Sequence, residues 1–173
     1  VYVMTADRIA ENKENANQAA FLEVVPDAAS VDKDDAVRSA IENAQGTYGS
    51  VTIENAVVGK DASGNVVGYV VHVSNSDSFD GGLALVGGIR ADGSLNGIAF
   101  TELHETPGMG MRCGEAEFMD QFVGAQAEQF TLNKGGASSG PDGIDAVNGA
   151  TVTSNSVVNA VNAALRFYSE NLK

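Results

Sequence analysis

Two stretches of this chain follow the same pattern: an apolar run, a turn cluster ending in glycine, and a second apolar run with another glycine four residues on. The first carries Val51, Ile53, Val57 and Val58 into Asp61-Ala62-Ser63-Gly64-Asn65 and resumes from Val66 to Val73. The second runs from Leu83 to Ile89, turns at Ala91-Asp92-Gly93-Ser94, and continues from Leu95 to Leu103. Runs of this length bounded by Asp, Asn, Ser and Gly read as strands joined by turns. Gly64 with Gly68 and Gly93 with Gly97 keep the same spacing. Ordinary turn chemistry explains that spacing, and it predicts two similar hairpins in one antiparallel sheet.

Helical segments flank this sheet. Asp7 to Phe21 is rich in Ala, Glu, Asn, Lys and Gln, contains no Gly or Pro, and stops before Pro26, a composition that favours helix. Its apolar face is thin, which suits a juxtamembrane stalk as well as a core helix. From Asp34 to Ala44, the residues Ala36, Val37, Ala40, Ile41 and Ala44 recur at helical spacing. Glu115 to Val123 sets Phe118, Met119, Phe122 and Val123 on one face, which predicts a core helix. A last helix is expected from near Ser154, with Val157, Val158, Val161, Ala164, Leu165 and Tyr168 on one stripe. Lys134 to Gly143 is rich in Gly and Ser and lacks the Gly-Lys-Ser/Thr ending of a nucleotide P-loop, so it reads as a surface loop. The expected fold class is α+β, a twisted antiparallel sheet with flanking helices. Residues 26–173 form the domain, preceded by a stalk helix over residues 1–25.

Charge narrows the partners. Twenty-three acidic residues against ten basic ones give a net charge of −13, which repels phosphate backbones and anionic headgroups. Nucleic acid and peripheral lipid are therefore excluded as partners. The single cysteine, Cys113, makes no internal disulfide and no cysteine-based metal site. His72 and His104 have no second histidine at helical or hairpin spacing and read as hydrogen-bonded strand-end residues rather than metal ligands. No apolar run is long enough to span a bilayer. The sequence opens on Val1 without an initiator methionine, and a membrane-anchoring helix is expected to precede it.

Two segments have residue types that packing alone does not demand: His104-Glu105-Thr106-Pro107-Gly108-Met109-Gly110 and Asp145-Ala146-Val147-Asn148-Gly149-Ala150-Thr151-Val152-Thr153-Ser154. The second stands just before the final helix, where unpaired N–H groups and the positive end of the helix dipole favour a phosphate. Thr153 and Ser154 are placed to cap that helix or to donate to the phosphate. Gly149 and Ala150 leave the backbone open to a bulky ligand, and Thr151 supplies a hydroxyl. Taken singly, an Asn-Gly turn before a capped helix accounts for this segment, and a tight loop accounts for the other.

Together, and in this order, they resemble the FMN-binding domain shared by the G subunit of the Rnf electron-transport complex and the C subunit of the sodium-pumping NADH:quinone reductase. The resemblance covers roughly Val66 to Leu165. That family's flavinylation motif reads Asp, two variable residues, Ser or Thr, Gly, Ala, Thr, and Asp145, Gly149, Ala150 and Thr151 match it. Asn148 departs from it, keeping a short polar side chain suited to a turn. The Glu-Thr-Pro-Gly-Met-Gly segment is similar to the family's Glu-Thr-Pro-Gly-Leu-Gly loop.

The resemblance implies FMN joined to Thr151 through a phosphoester, with the flavin phosphate at the start of the C-terminal helix and a dedicated flavin transferase acting during maturation. It also implies Glu105, Thr106, Gly108 and Met109 as contacts to the isoalloxazine ring. In its preferred form the resemblance makes this an electron-carrier subunit without turnover of its own. It would work beside the other subunits of an ion-translocating ferredoxin:NAD oxidoreductase, anchored by a single pass on the extracytoplasmic side of a bacterial membrane. Two other readings are a free-standing extracellular flavinylated protein or flavin-dependent reductase module, and a non-catalytic surface interaction domain without flavin.

Overall fold

The computed structural model describes residues 17–135 and 140–173. Residues 17–24 are helical (α1), and β1 follows at Ser30–Asp32. Helix α2, Asp35–Ala44, starts where the Asp34 carboxylate accepts from the N–H of Ala36 at 2.8 Å, satisfying a donor that the first turn leaves open. The two expected hairpins follow as β2 (Val51–Lys60) with β3 (Val66–Asn75) and β4 (Leu83–Arg90) with β5 (Leu95–Leu103). All five strands pair antiparallel in the order β1-β2-β3-β4-β5.

The two turns are built alike. Asp61 accepts from the N–H of Ser63 at 2.8 Å and of Asn65 at 2.9 Å, and Asp92 accepts from the N–H of Ser94 at 2.9 Å. Each carboxylate replaces water at backbone donors that the turn would otherwise leave unpaired.

The sheet is covered on both faces. On one, Val71, Val73, Leu85, Ile89, Ile53 and Ile98 pack with α2 and with the long α4, Thr151–Asn171. On the other, Val57, Val70, Val86 and Ala99 meet Ala20, Phe21, Val24 and Val25. Two-sided burial explains why Leu83 to Ile89 reads as continuously apolar instead of alternating. Gly88 leaves room for the Val24 carbonyl, which a Cβ there would strike, and Asn96 donates to that carbonyl at 2.8 Å. The end of the first helix is thus packed on the sheet. The rest of the expected Asp7 to Phe21 helix, residues 7–16, lies outside the described residues. No helix among the described residues is long and apolar enough to cross a membrane.

Three expectations change. Glu115 to Val123 is not one helix. It divides into α3 (Ala116–Met119) and a 3-10 turn at Asp120–Phe122, and Val123 is exposed. Phe118 and Phe122 do enter the core, edge to face with each other, and Phe122 meets Phe130 in the same way. The chain must turn directly afterwards, at Gly124, so that Ala125 can accept from the Leu95 N–H at 2.9 Å. The Lys134 to Gly143 loop is flanked by a small parallel pair, β6 (Thr131–Asn133) with β7 (Gly143–Asp145); residues 136–139 lie outside the described residues.

The third change concerns α4, which begins at Thr151, three residues before the expected start. Its stripe is buried as expected, and Ala160, Ala163 and Phe167 are buried with it. Two asparagines fasten it. Asn162 exchanges hydrogen bonds with the backbone of Phe130 at 2.7 and 3.0 Å, and Asn75, at the end of β3, donates to the Ser156 carbonyl at 3.0 Å.

Candidate functional site

After Leu103 the chain leaves the sheet with His104 exposed and Glu105 turned inward, 7% exposed. Thr106 to Met109 form a turn in which the Met109 N–H bonds the Thr106 carbonyl at 3.2 Å, and a 3-10 turn, Gly110–Gly114, follows. Gly108 sits at φ 77°, with open space around its Cβ position, so it serves the turn. Gly110 serves the close approach, because a Cβ there would lie 2.6 Å from Glu105 Oε2 and 2.8 Å from Thr153 Oγ1. The Thr153 hydroxyl donates to Glu105 Oε2 at 3.0 Å. The other oxygen, Glu105 Oε1, is buried without a hydrogen-bond partner.

The second wall is the start of α4. Gly149 adopts φ 79°, a region that an L side chain rarely enters, and this turn delivers Ala150 as a cap residue with no side-chain oxygen to offer. The first helical bond runs from the Ser154 N–H to the Ala150 carbonyl at 2.9 Å. The N–H groups of Thr151, Val152 and Thr153 therefore lack intrahelical acceptors, as any helix start requires. Thr151 is exposed in this first turn. Ser154 is fully buried, accepting from the Val147 N–H at 3.0 Å and donating to Ala150 at 2.8 Å. Neither Thr153 nor Ser154 caps the helix, because both already lie inside it. Cys113, beside Ser154 at 3.7 Å, has its thiol pushed up from the ordinary value by burial, which keeps it neutral.

The walls enclose a cleft of about 280 Å³. Of the residues singled out in the sequence, Glu105, Thr106, Met109, Gly149, Ala150, Thr151 and Thr153 line it; Gly108 and Ser154 do not. Three further residues do: Gly110, Val152 and Phe79. Phe79 could have been noticed as a lone aromatic in the polar loop Ser76-Asp77-Ser78-Phe79-Asp80-Gly81-Gly82. Asp145 and Asn148 fall instead along a neighbouring cleft of about 320 Å³ with Arg112 and Gln121. Asp145 is not in an open loop. It is half-buried in β7, its N–H donates to Gln121 Oε1 at 2.7 Å, its carbonyl accepts from Gln121 Nε2 at 3.2 Å, and its carboxylate accepts from Asn133 at 3.3 Å. A larger groove of about 610 Å³ at the far end of α4, between Gln126, Arg166 and Lys173, holds no residue of either segment.

Residues 79–166 match the family model of the FMN-binding domain. The chain belongs to that family. Among relatives of this FMN-binding domain, the G subunit of the Na(+)-translocating ferredoxin:NAD(+) oxidoreductase complex of Acetobacterium woodii is 32% identical over 169 residues, covering 95% of this chain and 80% of the relative. The G subunit of the ion-translocating oxidoreductase complex of Pseudomonas aeruginosa is 30% identical over 194 residues, covering 99% and 80%. The crystal structure of Shewanella oneidensis NqrC has the same fold, with a TM-score of 0.57 at 23% identity over 66% of this chain and 59% of that one.

Proposed function

We propose that this FMN-binding domain is the electron-carrying G subunit of an ion-translocating ferredoxin:NAD oxidoreductase complex, and that it holds FMN as a phosphoester on Thr151. One observation carries the reading. The exposed Thr151 lines the same cleft as Glu105, whose Oε1 is a buried carboxylate oxygen with no hydrogen-bond partner. Relatives that are G subunits of such complexes, and that span nearly all of this chain, support the assembly.

The residues present suit the group. The unbonded N–H groups of the first turn, with the positive end of a 21-residue helix, offset a phosphate's charge. Glu105 Oε1 is an acceptor for a ring N–H, and Met109 and Val152 give the cleft apolar surface. No Lys or Arg lines the cleft among the described residues, so a freely dissociating phosphate would lack the usual charge-assisted partners. A covalent link removes that need. FMN supplies reversible electron transfer when bound; the chain supplies orientation and tuning. At about 280 Å³ the cleft is smaller than the ~300–1,000 Å³ typical of pockets that bury most of a drug-sized ligand. In this reading one edge of the ring stays in water, within reach of partner subunits.

Maturation requires a flavin transferase that reads the segment from Asp145 to Thr151. The domain lies outside the cytoplasm, held to the membrane by a single-pass anchor, and its acidic surface keeps it off an anionic leaflet. Protease added to spheroplasts is expected to digest it; protection until lysis would refute that topology. The function itself is tested by redox titration of protein produced with the transferase. Reversible bleaching of one flavin per chain is expected, with a midpoint that moves in Glu105→Ala while intact mass shows FMN retained. A colourless protein under those conditions would contradict the reading.

A further inference from the structure

Phe79 is the most exposed of the large apolar residues among those described, at 72%, yet it lines the cleft together with Met109 and Val152, themselves about half exposed. Its neighbours in the loop are Ser, Asp and Gly, so no strand or core packing calls for an aromatic there. The loop is nonetheless fixed in place. Asn75, 2% exposed, donates to the Ser156 carbonyl on α4 at 3.0 Å and accepts from the Asp77 N–H at 3.0 Å. Ser78 Oγ accepts from the Gly82 N–H at 2.7 Å. The same asparagine therefore ties the second turn of α4 to the loop that carries Phe79, and that residue lines the cleft beside the helix start.

Phe79, Met109 and Val152 together make a contiguous exposed apolar patch along one cleft, and such patches mark ligand-binding grooves where a single exposed side chain would not. Aromatic rings favour offset-stacked or edge-to-face partners over bulk water. We propose that Phe79 is a positioning residue for the flavin of this cleft, packing on the isoalloxazine ring and shielding part of it from solvent. The proposal rests on the FMN reading. It concerns a residue outside both sequence segments, brought to the site only by the β3–β4 loop.

The test uses protein loaded by the flavin transferase and carrying Phe79→Trp or Phe79→Tyr. The control, Val123→Trp, is at an exposed site that lines none of the three clefts. Indole and phenol rings in contact with an excited flavin quench its emission by electron donation, and phenylalanine does not. Intact mass should show one FMN per chain in all three variants. Phe79→Trp and Phe79→Tyr should lose most of their flavin emission, and Val123→Trp should keep the wild-type intensity. Equal emission from all loaded variants would overturn the role of Phe79 and leave the FMN reading standing. Absence of FMN from the wild type and every variant would overturn both.

Discussion

The Thr153 hydroxyl donates to Glu105 Oε2 at 3.0 Å, joining the first turn of α4 to a loop 48 residues earlier in the chain. Because Glu105 Oε1 already lacks a partner, Thr153→Ala would leave a buried carboxylate with neither oxygen bonded. The expected cost is about 1–3 kcal/mol, read from denaturant unfolding, with Thr153→Ser restoring most of it. An unchanged midpoint in Thr153→Ala would mean the contact carries no stability.

Gly110 and Gly108 should separate by function. Gly110→Ala drives a methyl into Glu105 and Thr153, so it should destabilise by about 1–3 kcal/mol and alter the visible spectrum of the loaded protein. Gly108→Ala meets open space and strains only the backbone at φ 77°, costing about 1–2 kcal/mol. Its spectrum should stay close to wild type. Matching spectra for the two variants would show that the close approach at Gly110 does not shape the cleft.

Asp145→Ala removes one side-chain acceptor at 3.3 Å from Asn133 and leaves both backbone bonds to Gln121 intact. Stability should fall by about 1 kcal/mol or less, while flavin loading by the transferase is lost. Gln121→Ala, which releases the Asp145 backbone, should destabilise more. Full loading of Asp145→Ala would remove this residue from the maturation signal.

The hairpins were legible in the sequence because each turn is held by its own aspartate, Asp61 or Asp92, and needs nothing distant. The α4 stripe was legible for a similar reason: apolar spacing along one helix reports one buried face. What escaped depends on long-range contacts. Gly124 marks the end of the Glu115 to Val123 segment locally, but its apolar spacing does not show the change from α-helix to 3-10 turn at Asp120, and the Leu95–Ala125 bond just beyond it is long-range. The FMN-binding segments were recognisable by resemblance, but the division of work between Gly108 and Gly110 was not, since spacing alone does not tell a φ requirement from a space requirement. Phe79 reached the cleft only through Asn75 and Ser156, 81 residues apart.

Alkaline stability should depend on Tyr48. Its phenol is pushed up to about 12, first by burial and then by the hydrogen bond to Glu170 at 3.1 Å. The unfolded phenol titrates near ~10, so between these values the folded chain keeps a proton that the unfolded chain releases. That contribution is complete below pH ~10 and lost as pH rises toward about 12. With the ring partly in water, the effect is discounted to at most about 1 kcal/mol. Wild type should lose more stability than Tyr48→Phe across this window, and parallel curves would contradict the assignment.

The attachment point is the claim on which the rest depends. Protein produced with the flavin transferase should yield, after proteolysis and fragmentation mass spectrometry, one flavin-bearing peptide whose fragments place FMN on Thr151, and Thr151→Ala should yield none. Fragments placing FMN on Thr153, or a Thr151→Ala protein that stays flavinylated, would contradict the account.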